Sequence, residues 1–308
     1  MSKELRIIFL GTPDFAAASL KKLVENQVNI VAVVTAPDKP KGRGKKLGMS
    51  AVKEYALEAG LPVLQPPNLK SADFLEKLKN FKADLQIVVA FRMLPVSVWD
   101  MPPLGTFNLH ASLLPQYRGA APINWAIMNG ETQTGITTFF LKHEIDTGEI
   151  IFQESEPIHP EDNVGSLYVR LMEKGADLVL KTVNAIANEN YPQLPQNTDL
   201  ELKPAPKIFK EDCRIEWEQP SHEVLNFIRG LSPYPAAWSE MDGKTVKIFE
   251  AKESSMGTNK PAGEFYSDGK TYLRVNTKSG TLDVLDLQLE GKKRMPVADF
   301  LRGYQFNS

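Results

Sequence analysis

The stretch LRIIFLGTPDFAAASLKKLVEN, Leu5 to Asn26, contains a strand and a helix that together indicate the fold class. Its first seven residues form a mostly apolar run that ends at Gly11, which is typical of a strand buried on both faces. The segment from Pro13 to Asn26 follows, with a proline in its first turn and a helical pattern. A buried strand that enters a helix through a short turn is the repeating unit of an open α/β sheet.

The same alternation continues to residue 190. The predicted strands are VNIVAVVT, ADLQIVVA, GTFNLHA and GITTFFLK, and the predicted helices are SAVKEYALEAG, FLEKLKNF, APINWAIMNG and residues 163–190. Strands that are apolar throughout favour parallel pairing, with helices on both faces of the sheet. We therefore predict a Rossmann-like α/β domain with an open parallel sheet over residues 1–190.

The pattern changes after this domain. Residues 191–206 are rich in proline and polar residues and lack a hydrophobic period, so we expect a linker. Residues 207–308 contain a short helix and several short strand candidates separated by the turns MDGK, SDGK and KSG. This spacing predicts a small β-barrel or sandwich domain.

Composition restricts the class of protein. The chain has 308 residues, a formal net charge of −2 and a single cysteine, Cys213. This excludes an intramolecular disulfide and a cysteine-based zinc site, and any contact with nucleic acid must rest on a local basic patch. The N-terminus lacks the apolar run of a signal peptide, and no run reaches the roughly 18–20 apolar residues of a membrane span. We expect a cytoplasmic protein without a membrane segment.

Two polar side chains end a predicted strand in FNLHASLLPQYRG, Phe107 to Gly119. Residues two apart on a strand share a face, so Asn108 and His110 point the same way. A satisfied core residue is the commoner interpretation of a lone strand histidine. The neighbouring amide favours a site instead, because the pair can hydrogen-bond a carbonyl oxygen and move a proton.

A carboxylate candidate lies in FFLKHEIDTGEII, Phe139 to Ile151. Asp146 follows an apolar strand and could orient His110 and stabilise its charged form. An ordinary Asp-Thr-Gly turn is the competing interpretation. His143 is a weaker candidate, since the pattern gives it no partner. No residues have metal-ligand spacing, so we predict no metal site.

The segment PDKPKGRGKKLG, residues 37–48, is strongly basic. Its basic residues are Lys39, Lys41, Arg43, Lys45 and Lys46. With three glycines and two prolines it cannot pack a core, and we expect it to be mobile. A solvated surface loop is the plain interpretation. Because the segment directly follows a strand, it should rise over the candidate site, where its charge suits an RNA backbone.

Together these motifs resemble the folate-dependent formyltransferase family. NLHASLLPQYRGAAPINWAI followed by EIDTGEI is similar to the family signature, which runs from Asn-x-His through Ser-Leu-Leu-Pro to an Asp-x-Gly turn. RIIFLGTPDFAA, TAPDKPKGRGKKL and KIFKEDCRIEWEQPSHEVLNFIRGLSPYPAAW resemble the members whose acceptor is a tRNA. The resemblance covers nearly the whole chain.

The resemblance implies transfer of the formyl group of 10-formyltetrahydrofolate to the amino group of methionyl-initiator tRNA. We expect a monomer that needs no metal. The resemblance also implies that Asn108, His110 and Asp146 are catalytic. The implied folate-binding residues are Ser112, Leu113, Leu114 and Pro115. The implied tRNA-binding residues are Arg43, Lys39, Lys41, Lys45, Lys46 and Lys207. The C-terminal domain would be an OB-like barrel that binds tRNA.

One segment departs from the family pattern. Where members often have Ala-Tyr-Gly and a residue or two before Leu-Pro, this chain has AFRMLP, Ala90 to Pro95. The segment is shorter, and Arg92 replaces a flexible glycine. The resemblance implies that it lines the pteridine pocket.

Two other functions compete with this interpretation. A formyltransferase could act on a nucleotide sugar, on glycinamide ribonucleotide or on water, but the basic segment and the C-terminal domain argue against these acceptors. An RNA-binding protein without chemistry would not need the combination of Asn108, His110 and Asp146.

Overall fold

The computed structural model describes residues 4–41, 46–197, 199, 201–256 and 260–304. The chain forms two compact units, each assembled from separate segments. The first unit comprises Met1–Arg118, Gly135–Glu156 and Val169–Lys203, and the second comprises Gly119–Thr134, Pro157–Tyr168 and Pro204–Ser308. Each unit encloses a buried apolar core.

The N-terminal part of the chain alternates strands and helices as predicted. The strands are β1 (Ile7–Gly11), β2 (Ile30–Val34), β3 (Lys39–Lys41), β4 (Lys46–Gly48), β5 (Val63–Leu64), β6 (Leu85–Val89), β7 (Thr106–His110), β8 (Gln133–Phe140) and β9 (Ile150–Pro157). The helices are α1 (Asp14–Glu25), α2 (Ala51–Glu58), α3 (Ala72–Asn80), α4 (Val96–Trp99), α5 (Pro122–Met128) and α6 (Val164–Ala187). Among the described residues, no helix is both long enough and apolar enough to cross a bilayer.

A seven-stranded sheet in the order β5-β2-β1-β6-β7-β8-β9 forms the frame of the first unit. Strands β5, β2, β1, β6 and β7 pair in parallel. Strand β8 is antiparallel to β7, with His110 opposite Thr137 and Phe107 opposite Phe140. The Rossmann-like α/β prediction is confirmed, and the sheet is mixed. The sequence could not reveal the direction of β8, because a strand buried on both faces is apolar throughout in either direction.

Close packing between β1 and α1 explains the glycine in the turn that joins them. Gly11 ends β1, and a Cβ atom there would lie only 2.5 Å from Cβ of Ala16 on α1. This helix buries Phe15, Leu20 and Leu23. A glycine at the strand end therefore allows the helix to approach the sheet closely.

Part of the basic segment of residues 37–48 forms a β-ribbon that its composition did not predict. Strands β3 and β4 pair as an antiparallel ribbon, with Lys39 opposite Gly48. Asp38 fixes the start of the ribbon, because its carboxylate accepts hydrogen bonds from Lys53 Nζ at 2.5 Å and Gln65 Nε2 at 2.8 Å. Arg43 and Lys45, which the sequence analysis assigned to tRNA binding, lie outside the described residues.

An antiparallel sheet forms the centre of the second unit. Its strands are β10 (Ala237–Met241), β11 (Lys244–Glu253), β12 (Phe265–Ser267), β13 (Leu273–Asn276), β14 (Thr281–Leu289) and β15 (Met295–Pro296). The second unit also contains the helices α7 (Ser221–Leu231) and α8 (Val297–Leu301). The sheet has the order β10-β11-β14-β13-β12, with β15 also paired to β14. The register of β11 against β14 shifts around Glu250, and such an irregularity bends a strand. The prediction of a small domain of short strands is confirmed.

Helix α5 packs inside the second unit. Its Asn124 donates from Nδ2 to the carbonyl of Gly230 on α7 at 2.8 Å, and Trp125 donates from Nε1 to the carbonyl of Pro206 at 2.8 Å. The sequence pattern had placed this helix between two strands of the predicted domain of residues 1–190. The division of the chain at residues 190 and 206 stays a prediction.

A buried carboxylate ties β9 to α6 in the first unit. Glu156 is only 8% exposed and accepts hydrogen bonds from Arg170 Nε at 2.8 Å and Lys174 Nζ at 2.5 Å. Burial by itself would raise the pKa of Glu156, but the hydrogen bonds and charges of the two cations outweigh it and lower the pKa. The resulting stability is fully present above the ordinary pKa of the unfolded chain and is lost as the pH falls through the lower pKa of the folded state.

We expect Glu156→Gln to lower the free energy of unfolding at pH 7 by about 2 kcal/mol, because two cations lose a buried partner. Urea unfolding at pH 7 and near pH 3 measures the difference, which should shrink at the lower pH as wild-type Glu156 is protonated. Glu154→Gln is the matched control, since Glu154 pairs with Lys181 at an exposed site and should change stability by less than about 0.5 kcal/mol. A pH-independent effect of Glu156→Gln would contradict the electrostatic explanation.

Candidate active site

The imidazole of His110 is held at the end of β7 by a backbone carbonyl. Its Nε2 lies 2.8 Å from the carbonyl oxygen of Tyr117, and the side chain is buried. A carbonyl oxygen can only accept, so Nε2 carries the hydrogen. In the neutral ring, Nδ1 is then the nitrogen with a free lone pair. Tyr117 was missed by the sequence analysis, because a backbone carbonyl has no signature in the side-chain pattern.

Asp146 faces the other ring nitrogen. Its Oδ2 lies 3.9 Å from Nδ1 of His110, and the two side chains are 13% and 7% exposed. This distance exceeds that of a direct hydrogen bond but allows strong attraction once the imidazole is protonated. The structure therefore brings together the two residues that the sequence analysis paired. The hydrogen bond that fixes the ring, however, goes to Tyr117.

Asn108 lies on the same face of β7 as His110, as the spacing predicted. Its side chain is half-buried and makes no hydrogen bond to another described residue. The opposite face of the strand carries Phe107 and Leu109, which are buried in the core. The Asn108 amide is thus free to bind a ligand beside the histidine.

The turn that carries Asp146 has an unusual backbone. Asp146 has a φ of +56°, in the left-handed region, which aspartate tolerates better than most residues. Gly148 is sterically required, because a Cβ atom there would lie 1.5 Å from the carbonyl oxygen of Phe140. The glycine of the Asp-x-Gly pattern is thus required by the backbone of the turn, whereas Asp146 also has a candidate chemical role.

The segment Ser112–Pro115 is tied to the neighbouring strands. Thr137 on β8 donates to the carbonyl of Ser112 at 2.7 Å, and Gln153 on β9 donates to the carbonyl of Leu114 at 2.8 Å. The Ser112 hydroxyl donates to the carbonyl of Gln116 at 2.7 Å and serves the turn itself. Leu113 and Pro115 are half-buried, whereas Ser112 and Leu114 are buried. The folate contacts of these four residues stay a prediction.

The segment Ala90–Pro95, which departs from the family pattern, follows the end of β6. Ala90 has a φ of +45°. Arg92 donates to the carbonyls of Pro66 and Pro67, the latter at 3.0 Å. Met93 is 74% exposed. The arginine that replaces a glycine therefore anchors this loop to a neighbouring backbone segment.

The remaining candidate, His143, is separate from this group. It is exposed, and its ring packs edge-on against Trp99 with centroids 5.6 Å apart. In the part of the chain that the structure describes, no group of three or more His, Cys, Asp or Glu residues could hold a metal ion.

The first unit brings the side chains of His110 and Asp146 within 3.9 Å at the end of β7, with Asn108 on the same face of that strand. Comparison with known families identifies the class of protein. Residues 5–183 match the formyl transferase family, and residues 207–305 match the formyl transferase C-terminal domain. The chain belongs to the formyltransferase family.

Relatives of known name are similar over their full length. A methionyl-tRNA formyltransferase of Bacteroides thetaiotaomicron is 56% identical over 316 residues, covering 100% of this chain and 98% of the relative. One of Phocaeicola vulgatus is 58% identical over 313 residues, covering 98% and 97%.

Solved structures share the fold at lower identity. HypX from Aquifex aeolicus in complex with tetrahydrofolic acid matches with a TM-score of 0.66 and 23% identity, covering 99% of this chain and 49% of HypX. An N-formyltransferase from Helicobacter canadensis, in complex with folinic acid and dTDP-3-aminofucose, matches with a TM-score of 0.67 and 21% identity, covering 91% and 98%.

Proposed function

We propose that this chain transfers the formyl group of 10-formyltetrahydrofolate to the amino group of methionyl-initiator tRNA, in the cytoplasm and as a monomer. The observation that carries the proposal is the identity of 56% to a methionyl-tRNA formyltransferase over the whole chain. That similarity includes the C-terminal region, which supports a tRNA as acceptor over a nucleotide sugar.

In the proposed reaction, the neutral amine of the methionyl group attacks the formyl carbon. The carbonyl electron pair moves onto oxygen, and a C–N bond forms. When the tetrahedral intermediate collapses, the bond from carbon to N10 of the folate breaks, and N10 takes up a proton in place of the formyl group. The net change moves a formyl group one way and a proton the other, so no covalent enzyme intermediate is required.

Asn108 and His110 have different roles in this reaction. Because the Nε2 hydrogen of His110 is directed at Tyr117, the free amide of Asn108 is the donor that can reach the developing oxyanion. Nδ1 of His110 accepts the amine proton and, once protonated, can donate to the oxyanion or pass the proton to N10. Asp146 stabilises the imidazolium from 3.9 Å.

The formyl donor would bind along the backbone that surrounds these residues. We assign the folate to Ser112, Leu113, Leu114 and Pro115, with the loop of Ala90–Pro95 beside the pteridine. The anchored Arg92 and the half-buried Leu113 and Pro115 support a preformed wall for a flat ring.

The second unit contains a cavity that suits an RNA segment. Its volume is about 480 Å³. Lining side chains include Lys207, Lys210, Lys247, Phe209, Tyr234 and Trp238. No carboxylate among the described residues pairs with these lysines, although Lys207 Nζ lies 5.0 Å from the centroid of the Phe209 ring and Lys247 Nζ donates to the carbonyl of Pro235 at 3.5 Å. Tyr234 is 82% exposed and Phe209 is 55% exposed. Cations without a carboxylate partner, beside exposed aromatic rings, suit phosphates and unstacked bases.

We therefore assign tRNA binding to Lys207 and its neighbours in this cavity. The basic segment contributes the other predicted contacts, with Arg43 meeting the acceptor stem, because a guanidinium can make two hydrogen bonds to a phosphate or a base edge.

Asn108→Ala, His110→Ala and Asp146→Ala should each lower kcat for formylation of methionyl-initiator tRNA by about 100-fold or more, which corresponds to the loss of about 3 kcal/mol of transition-state stabilisation. The assay follows labelled formyl transfer with the tRNA, an amino sugar nucleotide, glycinamide ribonucleotide or water as acceptor. His143→Ala is the control, because it lies in the same segment but outside the site. Near-normal kcat in Asn108→Ala or His110→Ala would refute the roles, and faster transfer to the sugar would refute the acceptor.

Replacing Lys207, Lys210 and Lys247 together by alanine should raise KM for the tRNA by about tenfold or more at fixed salt, since phosphate contacts are lost. KM for the formyl donor should stay the same. The matched control replaces the exposed lysines Lys77, Lys79 and Lys82, in and just after α3. An equal rise in both triple variants would mean that only net charge matters and that the cavity is not a tRNA site.

A further inference from the structure

A glutamine from the predicted linker clamps the turn that carries Asp146. Nε2 of Gln196 donates to the backbone carbonyl of Asp146 at 2.7 Å and to that of Gly148 at 2.9 Å. These two carbonyls belong to the turn in which Asp146 has a φ of +56°. Gln196 is half-buried and belongs to the first unit, as the turn does.

A guanidinium fixes the orientation of that glutamine. Arg118 donates to Oε1 of Gln196 from Nε at 3.1 Å and from Nη2 at 2.5 Å. Because a guanidinium can only donate, the amide oxygen must face Arg118 and the NH₂ group must face the turn. Arg118 directly follows Tyr117, whose carbonyl receives the hydrogen bond of His110.

The same stretch of linker also holds Tyr117. The Tyr117 amide donates to the carbonyl of Lys203 at 2.7 Å. The Lys203 amide donates to Oε1 of Gln116 at 2.9 Å, and Nε2 of Gln116 donates to the carbonyl of Glu201 at 3.0 Å. The linker thus contacts the backbone on both sides of His110, through Tyr117 at Nε2 and through the turn of Asp146 at Nδ1.

We propose that Gln196 is a positioning residue for formyl transfer, which sets the distance between the Asp146 carboxylate and Nδ1 of His110. The proposal rests on the proposed function, because it acts through the roles assigned to those two residues. Without the clamp, the turn loses two hydrogen bonds that hold Asp146 in an unfavourable backbone conformation. The carboxylate then spends less time close to the imidazole, and a small misplacement of a catalytic group costs rate.

Only an amide of this length meets all the contacts. Asparagine is one carbon shorter, methionine has no donor, and glutamate can accept from Arg118 but cannot donate to the two carbonyls. Gln196→Met therefore removes the clamp with little change in volume. Gln196→Glu also removes the donor and adds a negative charge beside the turn, so it should lose at least as much activity as Gln196→Met.

The test is a double-mutant cycle with Asp146→Ala, measured as single-turnover transfer of labelled formyl to methionyl-initiator tRNA. We expect Gln196→Met to lower the rate about tenfold in the wild-type background and to leave KM for the formyl donor nearly unchanged. In the Asp146→Ala background it should have almost no further effect, because the residue that it positions is gone. A tenfold loss in both backgrounds, or a normal rate in the wild-type background, would overturn the proposal.

Two comparisons separate this result from general destabilisation and from failure of the proposed function. Gln288→Met is the matched control, since Gln288 is half-buried and its Nε2 donates to the carbonyl of Lys292 at 2.9 Å in the second unit. Loss of this single hydrogen bond should lower thermal stability slightly and leave the transfer rate unchanged. A wild-type chain that does not formylate the tRNA would refute the proposed function, whereas an active wild type with an equally active Gln196→Met would refute only the positioning role.

Discussion

The hydrogen bond from Nε2 of His110 to the carbonyl of Tyr117 fixes both the orientation and the tautomer of the imidazole. The roles of the other site residues follow from this contact. With Nε2 committed to a backbone acceptor, Nδ1 is the basic nitrogen, and it points at the carboxylate of Asp146. Asn108, whose side chain forms no hydrogen bond with a described residue, is then the available donor on the same face of the strand. A proton acceptor, a counter-charge and an oxyanion donor are thus arranged around one strand end.

The antiparallel direction of β8 makes the approach of Asp146 less direct than the sequence suggested. The carboxyl end of this strand, at Phe140, lies opposite Phe107. That is three residues, or about 10 Å at roughly 3.3 Å per residue, from His110 along the strand. The turn after β8 has to fold back over this distance to bring the carboxylate to the imidazole. A left-handed Asp146, a glycine at position 148 and the clamp of Gln196 are the devices that hold it there.

The sequence predicted the features that depend on side-chain type and on the hydrophobic period. Apolar runs identified the strands of the sheet, and spacing by two placed Asn108 and His110 on one face. Strand direction was not predictable, because the hydrophobic period indicates which residues are buried and not the direction in which the strand runs. Tyr117 and Gln196 were not predictable either, since one acts through its backbone carbonyl and the other through hydrogen bonds to residues about 50 positions away. The β3–β4 ribbon was not predicted, because its residues lack the apolar alternation of a half-buried strand.

Nitrogen NMR of histidine-labelled protein reports which ring nitrogen of His110 carries the hydrogen. The chain has 4 histidines, so the His110 signals can be assigned by their loss in His110→Gln. Where the ring is neutral, we predict the tautomer with hydrogen on Nε2, and this preference should hold in Asp146→Ala because Tyr117 imposes it. A neutral ring with hydrogen on Nδ1, or an equal mixture of the two tautomers, would contradict the account, because Nδ1 could not then serve as the proton acceptor.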